Sequence, residues 1–178
     1  MKALKTLALA AIAIASVSAS AQTAGNSTYA EVGYTSIGYT EPGASTNMGA
    51  VRLMIGKEFS QNVAVEGMLG FGAAKGSGTF AGLPYDIKTN TMYGIYVKPK
   101  TMLTPELEVF GRLGFASSNV TAAVLGVSAD GTNSGISYGL GASYTVAKNV
   151  AINLDYMSYY DKDGVSGKGA TLGVGFKF

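Results

Sequence analysis

Val150-Ala151-Ile152-Asn153-Leu154-Asp155-Tyr156 places its large apolar residues, Val150, Ile152, Leu154 and Tyr156, on one parity and its only charge, Asp155, on the other. Successive side chains of a β-strand point to opposite faces, so a period of two with unlike faces reads as a strand and not as a helix. Working outward, seven more stretches repeat the pattern. With Val150–Tyr160 they are Tyr29–Tyr39, Gly49–Phe59, Val63–Ala74, Ile87–Lys98, Leu107–Ala116, Ile136–Val146 and Lys168–Phe178. Most of the glycines and the charges Glu31, Arg52, Glu66, Lys98, Glu108, Arg112, Asp155 and Lys177 share the parity opposite the apolar one.

The connections alternate in length. Ser60–Asn62, Pro99–Pro105 and Ala147–Asn149 are short, whereas Thr40–Met48, Lys75–Asp86, Ser117–Gly135 and Asp161–Gly167 are longer and rich in Gly, Ser and Thr. Short turns at one end and long loops at the other predict an all-β, eight-stranded, antiparallel up-and-down barrel. Composition agrees. The chain has 25 glycines in 178 residues, which disfavours helices by about 1 kcal/mol per residue relative to alanine, and few prolines, with abundant threonine and tyrosine.

The start of the chain reads as an export signal. Lys2 and Lys5 precede an apolar run from Leu7 to Val17, and Ala19-Ser20-Ala21 offers small residues for cleavage before Gln22. The expected organisation is a signal peptide over 1–21 and one barrel domain over 22–178. Removing two lysines takes the formal charge from +2 to 0, which gives no electrostatic reason to expect nucleic acid. No cysteine is present, so neither a disulfide nor a thiolate metal site is expected.

Alternation alone leaves two orientations. A soluble exported carrier of lipocalin type would turn the apolar face inward; a membrane barrel turns it toward lipid. The apolar face is nearly free of charge, holding only Lys57 and Lys75 near strand ends, where long side chains snorkel to headgroups. The opposite face balances four acids against four bases, which suits a narrow interior. Closure of the ring satisfies every backbone group, as hydrocarbon requires. A transmembrane barrel is therefore expected. Its interior charges would form a paired network, glycines would make room for Arg52, Arg112 and Met68, and Tyr39, Phe59, Tyr160 and Phe178 would sit at the headgroup boundary.

The last nine residues, Ala170-Thr171-Leu172-Gly173-Val174-Gly175-Phe176-Lys177-Phe178, resemble the final strand of bacterial outer-membrane proteins, with matches at Leu172, Val174, Phe176 and Phe178. Tyr29–Tyr34 and the Leu103-Thr104-Pro105-Glu106-Leu107 turn also resemble small barrels of the OmpA/OmpX type and the porin-family outer-membrane proteins. The resemblance implies a Gram-negative outer-membrane location and a C-terminal signal read by the barrel assembly machinery. Its implied partners are outer-membrane lipid and lipopolysaccharide, with an external ligand at the loops. The sequence stops at the barrel, so the peptidoglycan-binding domain of OmpA-type proteins is not expected.

Enzymes of similar architecture, such as lipid A deacylases and omptin proteases, use histidine, and this chain contains none. No catalytic residue, cofactor or metal ligand is expected. Gly70-Phe71-Gly72 misses the spacing of a dinucleotide-binding turn and lies within a strand pattern. The expected role is structural or surface interaction, with the interior filled and the loops displayed. A narrow channel for ions or small solutes and the soluble carrier stand as alternatives.

Overall fold

The computed structural model describes residues 27–80, 83–125 and 127–178. The expected signal peptide and its cleavage residues Ala19, Ala21 and Gln22 lie outside them. Nine strands follow one another: β1 (Thr28–Glu41), β2 (Ala44–Ser60), β3 (Val63–Ala74), β4 (Gly76–Phe80), β5 (Leu83–Met102), β6 (Leu107–Val124), β7 (Val127–Ala147), β8 (Val150–Lys162) and β9 (Val165–Lys177).

Antiparallel neighbours pair along the chain, β3 pairs with β5, and β1 pairs with β9, so the sheet closes into a ring of eight wall positions. The ninth strand is a continuation. β3 pairs with β5 up to Phe71↔Thr91, and β4 resumes on the same partner at Gly76↔Ile87. Four residues, Gly72 to Lys75, thus face three, Lys88 to Asn90, and the extra residue breaks the strand, as a β-bulge does. A Cβ at Gly72 would lie 1.7 Å from the Thr89 carbonyl oxygen, so only glycine allows the approach.

The strands are longer than their alternation suggested. The segments expected as long loops are mostly ladder: β1 and β2 pair up to Glu41↔Ala44, β6 and β7 up to Val124↔Val127, and β8 and β9 up to Lys162↔Val165. Beyond the membrane both faces of a strand meet water, so the period of two fades while the backbone ladder persists. Pro99 likewise does not start a turn; β5 runs through it to Met102 at the cost of one backbone donor. Turns remain at the tips, where Gly43, Asp163, Gly164 and Leu125 have positive φ.

Large apolar side chains cover the outside, including Ile55, Ile95, Leu113, Leu140 (74 % exposed), Leu154 and Leu172. Inside, Ile37, Met48, Met54, Met68, Met92, Met157, Tyr85, Ile87, Tyr96 and Tyr159 form one buried cluster. Five of the seven methionines lie there, and their unbranched, flexible side chains fill an irregular lumen. Grease outside and methionine with charge inside is the arrangement of a membrane barrel, opposite to that of a soluble carrier.

Candidate functional site

Five strands aim one charged side chain each at the middle of the lumen: Glu31 from β1, Arg52 from β2, Glu66 from β3, Arg112 from β6 and Asp155 from β8, all at most 3 % exposed. Arg112 donates to Glu66 from Nε at 2.6 Å, to Asp155 from Nη1 at 2.6 Å, and to Glu31 from Nη2 at 3.1 Å. Arg52 donates to Glu31 at 2.8 Å and makes a two-pronged contact with Asp155, one prong at 2.9 Å. Its Nη1 also donates to the Tyr159 hydroxyl at 3.0 Å. Each of the six carboxylate oxygens thus accepts at least one hydrogen bond from a guanidinium. The two-pronged geometry is the strong form of this contact.

The cluster continues toward the end of the barrel that holds the short turns. Tyr29 donates to Glu66 at 2.6 Å. Lys98 lies 3.9 Å from Glu66 and 3.0 Å from Glu108. Lys100 bridges Glu108, at 2.9 Å, to Glu58, and Lys177 reaches Glu58 at 2.8 Å. Lys177 stands at the half-exposed rim, apart from the buried group. Five bases (Arg52, Arg112, Lys98, Lys100, Lys177) therefore meet five acids (Glu31, Glu58, Glu66, Glu108, Asp155), and the network is neutral. Glu58 and Lys100 were not singled out from the sequence. Glu58 shares the parity of Arg52, which could have flagged it, whereas Lys100 follows Pro99 and fell into an expected turn.

Aromatic rings separate the cations. Phe110 lies between Lys98 Nζ, 4.2 Å from its centroid, and Arg112 Cζ, 4.6 Å away, and Tyr29 offers its face to Lys98 at 4.9 Å. Such contacts contribute about 0.5–2 kcal/mol each when desolvated. Glycines stand directly opposite these rings and Met157. A Cβ would fall 2.2 Å from the Tyr29 ring at Gly56, 2.4 Å from the Phe110 ring at Gly141 and 2.4 Å from Met157 Sδ at Gly139. A flat ring standing against the wall needs a bare backbone opposite it.

Two cavities flank the charged layer. One of about 190 Å³ on the short-turn side is lined by Tyr29, Glu31, Lys98, Lys100 and Asn153, among others, and one of about 20 Å³ on the other side by Met48, Met92 and Tyr159 among others. Tyr39 and Tyr160 also line the smaller cavity, and Tyr39 packs on the buried cluster. They serve the interior, in contrast to the expected headgroup belt, because the inward parity of β1 and a register shift between Ser158 and Tyr160 turn them away from lipid. Phe59 is 64 % exposed. Among the described residues, no three acids come together in an arrangement that could hold a metal ion.

On β9, Leu172, Val174 and Phe176 share one parity. They pair across to Tyr34, Val32 and Ala30 of β1 and to Leu154, Ile152 and Val150 of β8. The backbone N–H of Phe178 donates to the Thr28 carbonyl at 2.8 Å. The C-terminal strand is thus the one that closes the ring.

Solved structures share this architecture. Ail, the attachment invasion locus protein of Yersinia pestis, aligns with a TM-score of 0.64 at 21 % identity, covering 88 % of this chain and 100 % of that one. The neisserial surface protein NspA aligns at 0.62 and 18 %, covering 85 % and 97 %. OprG of Pseudomonas aeruginosa aligns at 0.59 and 14 %, covering 88 % and 97 %. No curated protein matches by sequence. The profile described as "Outer membrane protein beta-barrel domain" matches residues 7–178, and the chain, a barrel of the outer membrane, belongs to that family.

Proposed function

We propose that the protein acts by surface contact from a closed barrel and neither conducts solutes nor catalyses a reaction. The observation that carries this reading is the buried layer of Arg52, Arg112, Glu31, Glu66 and Asp155, which spans the lumen from five strands with its carboxylates fully engaged. Moving an ion past it means parting paired charges in a low-dielectric interior, at a cost of several kcal/mol per ion. Carboxylates so occupied are poor general bases. What faces outward is the set of tall hairpins. The attachment and surface proteins with the same fold, Ail and NspA, support the reading by analogy alone.

In this reading residues 1–21 are removed between Ala21 and Gln22, Leu172, Val174, Phe176 and Phe178 form the signal that the assembly machinery reads, and lipopolysaccharide surrounds the outer half of the belt. Single-channel recording in a planar bilayer tests the central point. The reading expects no steady openings from the native barrel. Regular openings that change size in Arg112→Ala would replace it with a narrow channel.

A further inference from the structure

The larger cavity, on the short-turn side, has two unlike walls. Glu58 of β2, Lys98 and Lys100 of β5 and Glu108 of β6 crowd one of them. The other is built from inward positions of β7, β8 and β9, and these are small and neutral: Ser143, Thr145, Ala151, Asn153 and Gly175. The ladder sets them in rows, Glu108 beside Ser143 beside Asn153, and Thr145 beside Ala151 beside Gly175. Directly opposed residues share a face, so no long side chain reaches across from this wall, and a space of about 190 Å³ stays open. It is too large for a single water and smaller than the ~300–1,000 Å³ of drug-sized sites. A small molecule fits it.

The neutral wall has unmet hydrogen-bonding capacity. Asn153 is 6 % exposed, and its amide faces the cavity with no hydrogen-bond partner among the described residues. A Cβ at Gly175 would fall 2.8 Å from Asn153 Nδ2, so any larger residue there would push the amide aside. Ser143 and Thr145 add two hydroxyls on the same wall. A buried amide offers two donors and an acceptor, and leaving them unbonded destabilises the fold unless something in the cavity meets them.

The charged wall is unbalanced. In the deep layer Glu31, Glu66 and Asp155 outnumber Arg52 and Arg112, whereas nearer the mouth Lys98, Lys100 and Lys177 outnumber Glu58 and Glu108. The network is neutral as a whole, yet its cavity end carries one positive charge in excess. Lys148 lines the same cavity with no ion-pair partner among the described residues, and adds another. A cleft with an excess of one sign between low-dielectric walls concentrates ions of the other.

We propose that this vestibule binds a small carboxylate that also carries hydroxyl or amide groups. The carboxylate sits among Lys100, Lys148 and Lys177, and the neutral groups bond Asn153, Ser143 and Thr145. Short turns of such barrels face the periplasm, so the ligand enters from that side. The site needs no conduction, because the Arg52 and Arg112 layer lies beyond it.

Isothermal titration calorimetry on the full chain in phosphatidylcholine nanodiscs, which leave both ends open to solution, tests the proposal, with empty nanodiscs as blank. Two probes separate the sources: D-glucuronate carries hydroxyls, and N-acetyl-D-alanyl-D-alanine carries amides. At least one is expected to bind saturably, one per barrel, and at least tenfold more tightly than acetate or its own neutral analogue, D-glucose or the dipeptide amide. Asn153→Ala and Lys148→Ala should each weaken that probe at least fivefold. Lys75→Ala, at the far end beside Asp86, should leave it unchanged. Heat-dependent gel migration shows that each variant is folded, and Thr145→Val replaces Asn153→Ala if that barrel does not form. The proposal is overturned if neither probe binds saturably, if acetate or the neutral analogue binds as tightly, or if either wall's variant keeps full affinity.

Discussion

Replacing Arg112 by methionine removes one guanidinium from the centre of the barrel while keeping a side chain of similar length. Its side chain is 0 % exposed and touches three carboxylates, Glu66, Asp155 and Glu31, at 2.6, 2.6 and 3.1 Å. The neutral ten-charge network becomes −1, and Glu66 keeps only Tyr29 and the more distant Lys98, at 3.9 Å, as donors or counter-charges. Breaking a buried pair by removing one partner costs about 3–5 kcal/mol, because the other charge stays buried and uncompensated. The folding constant should fall between a hundred- and several-thousand-fold. Urea titration in phosphatidylcholine vesicles measures it, followed by circular dichroism and heat-dependent gel migration, since the chain has no tryptophan to report. Adding Glu66→Gln removes the stranded charge, so the double variant should recover about 1–3 kcal/mol relative to the sum of the singles. A loss below about 1 kcal/mol would place Arg112 among exposed ion pairs and refute the reasoning.

Gly56→Val and Gly141→Val should each destabilise the barrel by about 1–3 kcal/mol through overpacking against Tyr29 and Phe110, whereas Gly67→Val, whose Cβ would meet nothing within 4 Å, should be nearly silent; the same urea titration compares them. In the β4–β5 hairpin, hydrogen bonds from Lys75 and Ser77 hold the Asp86 carboxyl below its usual range. Its folded value is the depressed one, so its contribution to the hairpin is present above the ordinary carboxylate range and is lost as pH falls through the lowered value. The protection of the amides of residues 76–80 and 83–86, measured against their intrinsic exchange at each pH, should therefore fall in acid, and Asp86→Asn should abolish that dependence.

The wall of the barrel was legible because hydrocarbon on one side and a packed lumen on the other impose two unlike faces, as along Val150–Tyr156. That constraint lapses above the membrane. Ser117–Gly135 therefore read as a loop although Asn119, Thr121 and Thr132 sit in a regular ladder. Parity put the eight charges on one face, but it could not say which of them meet, because contacts such as Arg52 with Asp155 join residues 103 apart in sequence. The role of each glycine was hidden for the same reason. Gly56 answers to Tyr29 and Gly141 to Phe110 across strand pairs, and nothing local in the sequence marks those partners. Lys100 is hidden in the sequence because it follows Pro99, a residue that ordinarily ends a strand, although β5 runs on to Met102.

Which way the two faces of the wall point is directly measurable, because the chain has no native cysteine. Spin labels on single cysteines replacing Ile95, Leu140 and Leu154, in the protein reconstituted in phospholipid, should collide readily with lipid-dissolved oxygen and poorly with a water-soluble nickel chelate. A label at Asp130, in the outer part of β7, should show the reverse. Preference for the nickel chelate at all three belt positions would contradict the orientation and, with it, the membrane barrel.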